Sequence, residues 1–233
     1  MQLSRPIYQL KRRAKLLARE AAIPLHEAQD RIAREEGFAS WSLLSVKHGA
    51  AARPASILEE IAPGSMVLLA ARPRQGKTRI GLQLLDDAVR AGRRGVFFTL
   101  EFTEAQALDL LSQISAGGNV PEILADDAID ASAIMAHLGD APAGTAAVID
   151  YLQVLDQRRD TPPLAEQVAS LRDFAKATGT TLAFISQVDR AFDPGIAPMP
   201  GLADLRLPNP VPLELFDKAC FTHAGDMQVQ AIS

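Results

Sequence analysis

Apolar positions along the chain fall into two regimes. In the first fifty residues Ile7, Leu10, Ala14 and Leu17 recur every three or four positions, while Lys11, Arg12, Arg13, Lys15 and Arg19 fill most of the other faces. That period predicts an amphipathic helix. A second such stretch starts near Pro24, runs through Ala28, Ile32 and Ala33, and is expected to stop at Gly37. Ser40 is placed to cap a short third helix that turns Trp41 and Leu44 inward. Residues 1–50 therefore read as a small basic helical unit. Residues 49–56, Gly-Ala-Ala-Ala-Arg-Pro-Ala-Ser, have linker composition, which sets a linker at 51–60 and a core at 61–233.

In the core the pattern changes to short unbroken apolar runs at 66–70, 96–100, 146–149 and 182–185. Strands covered on both faces look like this, because neither side of the pleat meets water. Helical stretches are expected at about 77–91, 104–117, 130–138 and 163–178, between those runs. Alternating β and α elements imply an α/β fold with a mostly parallel twisted sheet flanked by helices. Residues 191–212 hold six prolines, at 194, 198, 200, 208, 210 and 212, and predict an irregular loop. The runs 218–223 and 227–232, separated by Ala224-Gly225-Asp226, predict a hairpin that closes the sheet.

Charge narrows the range of partners. The net charge is -4, yet residues 1–50 carry nine Lys/Arg against five Asp/Glu, so their +4 leaves -8 for the rest. An acidic core is not a nonspecific nucleic-acid binder over its whole surface, and any such contact would be local. The basic first helix could serve it, or simply be a solvated face. No run approaches the roughly 18 apolar residues of a membrane span. The start, Met1-Gln2-Leu3-Ser4-Arg5, lacks the apolar stretch of a secretory leader, so a cytoplasmic location with no membrane partner is expected. The one cysteine, Cys220, sits among apolar neighbours and reads as an inert strand residue. Histidines 26, 48, 137 and 223 have no metal-ligand spacing.

Chemistry concentrates where strands end. Ala71-Arg72-Pro73-Arg74-Gln75-Gly76-Lys77-Thr78 follows the first apolar run, opens a helical one, and fits the phosphate-loop pattern except that alanine replaces its first glycine. In such a loop backbone N–H groups curl round phosphates, Gly76 permits close approach, Lys77 supplies a point charge and Thr78 binds Mg²⁺. Asp150 ends the third run, facing the crevice that open α/β sheets use, and is the natural Mg²⁺ partner. Glu101 ends the second run, whose strand is expected beside the loop's own strand, and could poise water against a γ-phosphate. Gln187 follows the fourth run and can report the γ-phosphate without titrating.

Together these residues resemble the C-terminal ATPase domain of DnaB-type replicative helicases, a RecA-like P-loop class. Ala70-Ala71-Arg72-Pro73 leading into Gly76-Lys77-Thr78 is similar to that family's variant loop, which accounts for the alanine. Pro63-Gly64, Leu100-Glu101, Ile149-Asp150-Tyr151-Leu152-Gln153, Ser186-Gln187 and the weaker Asp204-Leu205-Arg206 follow in the family's order. The resemblance covers roughly residues 57–223 and implies a RecA-like sheet. It also implies ATP and Mg²⁺ as cofactors, Glu101, Lys77 and Gln187 as catalytic residues, 71–78 as the nucleotide loop, and Thr78 with Asp150 at the metal. ATP and ADP, single-stranded DNA and a ring of copies are the implied partners.

The chain also departs from the family. Gln187-Val188-Asp189-Arg190 replaces Gln-Leu-Asn-Arg, the stretch from Lys77 to Asp150 looks shorter, and no counterpart is found of the basic segment that gives a neighbour its arginine finger. Arg158, Arg159, Arg190 and Arg206 are the candidate substitutes. The alternative function is a nucleotide-binding regulatory or assembly protein with little turnover of its own, or one that needs a partner ATPase's arginine. The helical unit, ending Glu35-Glu36-Gly37-Phe38-Ala39-Ser40-Trp41-Ser42-Leu43-Leu44, resembles small modules attached to varied bacterial proteins, and could serve self-association.

Overall fold

A computed structural model describes residues 4, 7–21, 23–41, 43–44, 57–73, 75–115, 119–126, 129–152, 155, 161–206, 211–224 and 226–232. Arg74, Gln153, Arg158, Arg159 and His48, together with residues 51–56 of the expected linker, lie outside these. The chain divides into two compact units, Met1–Ala55 and Ser56–Ser233.

The first unit is helical. α1 (Ile7–Glu20) and α2 (Leu25–Glu35) bury Leu10, Ala14, Ile32, Ala33 and Leu44 against one another, with Leu17, Phe38 and Trp41 around them. Gly37, at φ 83°, takes the left-handed turn that ends the second helix. Asp30 accepts the Trp41 N–H at 2.8 Å and Ser40 Oγ accepts the Leu43 N–H at 3.3 Å, so the short third helix is capped from two sides.

The second unit is built on an eight-stranded sheet. β1 (Met66–Ala71), β2 (Gly95–Thr99), β3 (Glu122–Leu124), β4 (Ala146–Asp150), β5 (Thr181–Val188), β7 (Lys218–His223) and β8 (Asp226–Ala231) run in the order β3-β2-β4-β5-β1-β7-β8. β6 (Leu205–Arg206) pairs with β5. All pairings are parallel except β5 with β6 and β7 with β8. The late hairpin therefore forms one edge of the sheet. The chain reaches β6 through an irregular stretch and a 3-10 turn, Leu202–Asp204.

Residues alternate faces along each strand, and both faces are covered. On one side Met66, Leu68, Ala147, Ile149, Leu182 and Phe184 pack under α5 (Ala131–Leu138) and α6 (Leu164–Thr178). On the other Val67, Leu69, Val148, Ala183 and Ile185 pack under α3 (Lys77–Arg90) and α4 (Glu104–Ser112). This is why the strand sequences are apolar without alternation.

α3 sits very close to the sheet. A Cβ on Gly81 would come within 2.8 Å of Val148 Cγ1 and 3.2 Å of Ile185 Cδ1, so only glycine lets the helix lie this low over β4 and β5. Its path explains a difference from the sequence expectation. β2 does not lie beside β1; β5 and β4 intervene, because the crossover helix spans them before the chain re-enters the sheet.

At the entry edge of β1, Arg172 on α6 grips Asp217 in a fork of 2.6 and 2.7 Å, and Asp217 also accepts the Met66 N–H at 2.7 Å. Three elements are tied there, and the pairing holds the Asp217 carboxyl below its usual range despite partial burial. Among the described residues no helix is long and apolar enough to cross a membrane.

Candidate functional site

The site lies at the opposite end of the same strand. β1 ends at Ala71, and Arg72 to Gln75 close a turn through a Gln75 N–H to Arg72 O bond of 3.1 Å. Gly76 then takes φ 86° and opens α3, a conformation that costs other L-residues energy and leaves no side-chain cap on the helix. The first N–H groups of α3 have no partner within the helix, and its dipole is positive here, so this end suits an anion. By contrast, α4 is closed by a capping box from Thr103 and α5 by Asp130.

Asp150 ends β4 in phase with Val148, so its side chain faces α3. There its Oδ2 accepts the Thr78 hydroxyl at 2.9 Å, and its Oδ1 is buried with no hydrogen-bond partner. The Lys77 ammonium lies 3.7 Å from that oxygen and 3.6 Å from Glu101 Oε2, ion-pair distances too long for hydrogen bonds. Lys77 also lies 5.8 Å from the centre of the Tyr151 ring. Burial pushes the Asp150 carboxyl up to about 6 from 3.8; Lys77 and the Thr78 bond pull it down, while the neighbouring Glu101 charge adds to the rise.

The residues expected from sequence thus come together unevenly. Lys77, Thr78, Asp150 and Glu101 form one connected cluster, although β2 is not adjacent to β1. Lys77 rides on α3 above β5 and β4, so its long side chain reaches the ends of β4 and β2 directly. Gln187 sits on β5 in register with Ala71 on one side and Arg206 of β6 on the other. In phase with Ile185, it faces α3 as well. Of the loop, Arg72 donates to Arg190 O at 3.3 Å, Pro73 is exposed, and Gln75 Oε1 accepts the Ala224 N–H at 3.2 Å from the β7–β8 turn. The side chains of Arg190 and Arg206 are exposed.

Two partners are not legible as site residues in the sequence. Tyr151 stands in the Ile149–Asp150–Tyr151 run without an assigned role, and directly after the end of β4 its ring centre lies 5.8 Å from the Lys77 ammonium. Ala224 has φ 54°, and its N–H reaches Gln75 only because β7 pairs with β1. Ala224 carries no sequence signal, and Tyr151 belongs to the motif that carries the resemblance but with no role attached to it.

The donor set suits a hard divalent cation. Thr78 and Asp150 bring their oxygens together at 2.9 Å, and Asp150 Oδ1 has no hydrogen-bond partner. Among the described residues no group of three or more His, Cys, Asp or Glu could hold a metal. Two protein oxygens are what Mg²⁺ uses when phosphates and water complete its shell.

The fold has solved counterparts. It matches a solved ATPase domain with a TM-score of 0.55 and 16% identity, over 77% of this chain and 81% of that one. It matches a DnaB-like replicative helicase, solved with its interactions with primase in view, at the same TM-score and identity. That match takes in 92% of this chain, which spans 65% of the helicase. No protein-family model and no curated protein matches the chain. The α/β sheet with its flanking helices is therefore a RecA-like fold of the kind found in DnaB-like helicase ATPase domains.

Proposed function

We propose that the chain binds and hydrolyses ATP with DnaB-like, helicase-type chemistry, acting on or near DNA from the cytoplasm. The observation that carries this reading is the convergence of Lys77, Thr78, Asp150 and Glu101 on the uncapped N-terminus of α3. In it the loop 71–78 wraps the phosphates, Lys77 meets the β- and γ-phosphates, and Thr78 and Asp150 hold Mg²⁺. Held there by Thr78 and Asp150, Mg²⁺ would neutralise the charge that develops on the phosphates. Glu101, 37% exposed and so within reach of solvent, orients the attacking water. Gln187, in register with Arg206 of β6, senses the γ-phosphate. The helical unit contributes self-association or a local nucleic-acid contact.

A second reading is favoured by the arginines. Among the described residues Arg72 is engaged with Arg190 O and Arg190 and Arg206 are exposed; in this reading a transition-state cation comes from a partner ATPase or a second copy in a ring. The chain would then bind ATP but turn it over slowly alone, since such an arginine contributes on the order of 10³ or more in rate.

Equilibrium titration with ATP and Mg²⁺, paired with turnover measured with and without single-stranded DNA, separates these. Micromolar-range binding lost about 100-fold or more in Lys77→Ala is expected. Turnover stimulated by DNA supports the motor, and tight binding with negligible turnover in both conditions supports the partner-dependent protein. Absence of ATP binding to the wild type sinks both.

A further inference from the structure

The Lys77 ammonium occupies ground that a cation would want. Its side chain is only 11% exposed, enclosed by Glu101 on one side, Asp150 on another and the Tyr151 ring on a third. Asp150 is fully buried, with one oxygen committed to the Thr78 hydroxyl and the other facing Lys77. An ammonium and a divalent ion drawn to one buried carboxylate repel each other, and in a poorly solvated site each weakens the other's hold on it.

We propose that Lys77 and a divalent cation compete for the Asp150–Glu101 carboxylate pair, so that the cation is admitted only when a polyphosphate draws the ammonium away. This inference rests on the nucleotide-site reading above and adds an order to it. Phosphate oxygens at the N-terminus of α3 give Lys77 a stronger partner than carboxylates 3.6 and 3.7 Å distant. Once it moves, Asp150 would hold the metal with Thr78, and Glu101, left uncompensated beside them, would add its negative charge to the site. By linkage, cation and nucleotide then tighten one another by the same factor. Glu101 has two roles: it holds Lys77 in one arrangement and faces the cation site in the other.

The test uses the full chain and Mn²⁺ as probe, read by the loss of the free Mn²⁺ electron-spin-resonance signal at pH 8 without nucleotide. Lys77→Met should bind Mn²⁺ on the order of ten-fold or more tighter than wild type, since it removes the competing charge. The double variant Lys77→Met/Glu101→Gln should lose most of that gain. A folded Lys77→Met protein that binds Mn²⁺ no tighter than wild type overturns the proposal. If circular dichroism shows that Lys77→Met does not fold, Lys77→Gln, which keeps a polar head at this enclosed position, takes its place with the same outcomes. The result stands apart from the nucleotide-site reading: wild type that binds no ATP sinks that reading whatever Mn²⁺ does, and ATP binding with no Mn²⁺ gain sinks only the competition.

Discussion

The two ends of β1 each carry a charged cluster, and they are built on opposite principles. At its entry Asp217 is forked by Arg172, accepts the Met66 N–H, and has its carboxyl held low. At its exit Asp150 is more deeply buried, has one oxygen with no hydrogen-bond partner and faces its cation at 3.7 Å, and burial pushes its carboxyl up to about 6. The first cluster satisfies its charges and fastens three elements. The second leaves charge unsatisfied, which is costly for the fold and useful to a ligand that brings phosphates and a cation.

The sharpest way to break the comparison is to remove an anion at the entry. Asp217→Ala leaves Arg172 without its carboxylate and the Met66 N–H without its acceptor, and should lower the unfolding free energy by about 3 kcal/mol. Urea unfolding measures this, and ATP affinity should move less than about three-fold, because the cluster is remote from the loop. A loss of less than about 1 kcal/mol would make the entry cluster no better satisfied than the exit one.

A smaller effect of opposite sign is expected at the exit. Because the folded Asp150 carboxyl lies above its unfolded value of 3.8, its contribution to stability is fully present below that value and lost as pH rises through about 6. Asp217, with its folded value lowered, contributes in the reverse sense: its stabilisation is present above 3.8 and fades as pH falls through the folded value. Asp150→Asn should therefore stabilise the protein at pH 7 by on the order of 1 kcal/mol, a gain that shrinks as pH is lowered towards about 4. Urea unfolding across that range reads it, and destabilisation at pH 7 would show that the exit carboxylate serves the fold after all.

The smallest effect belongs to Glu101, which is 37% exposed. Glu101→Gln should leave stability within about 0.5 kcal/mol, measured in the same way, while lowering turnover by two orders of magnitude or so if it activates water. A stability change several times larger would place Glu101 among structural groups like Asp217.

The exit cluster was far more legible in the sequence than the entry one. Gly76-Lys77-Thr78 after an apolar run, Asp150 ending another and Glu101 after a third are local signals, readable because phosphate chemistry fixes residue types at short spacings. Arg172 and Asp217 are 45 positions apart, and nothing around either marks the pairing. β3 and β6, of three and two residues, are too short to show a period. Gly81 reads in the sequence only as a poor helix former, while in the fold it is the space that lets α3 rest on Val148 and Ile185.

By itself, then, the sequence determined the alternation of strands and helices, the apolar character of strands covered on both faces, the helical unit ahead of them, and the identity of Lys77, Thr78, Glu101, Asp150 and Gln187 as candidates. These are set by side-chain periodicity and by the chemistry of neighbouring residues. Only the tertiary structure decided that β5 and β4 stand between β1 and β2, that Lys77 pairs with both carboxylates and lies by Tyr151, and that the β7–β8 turn touches Gln75. Those outcomes depend on which strands lie side by side and how low α3 packs, and such choices are made by the energy of the whole core, which no short stretch of sequence carries.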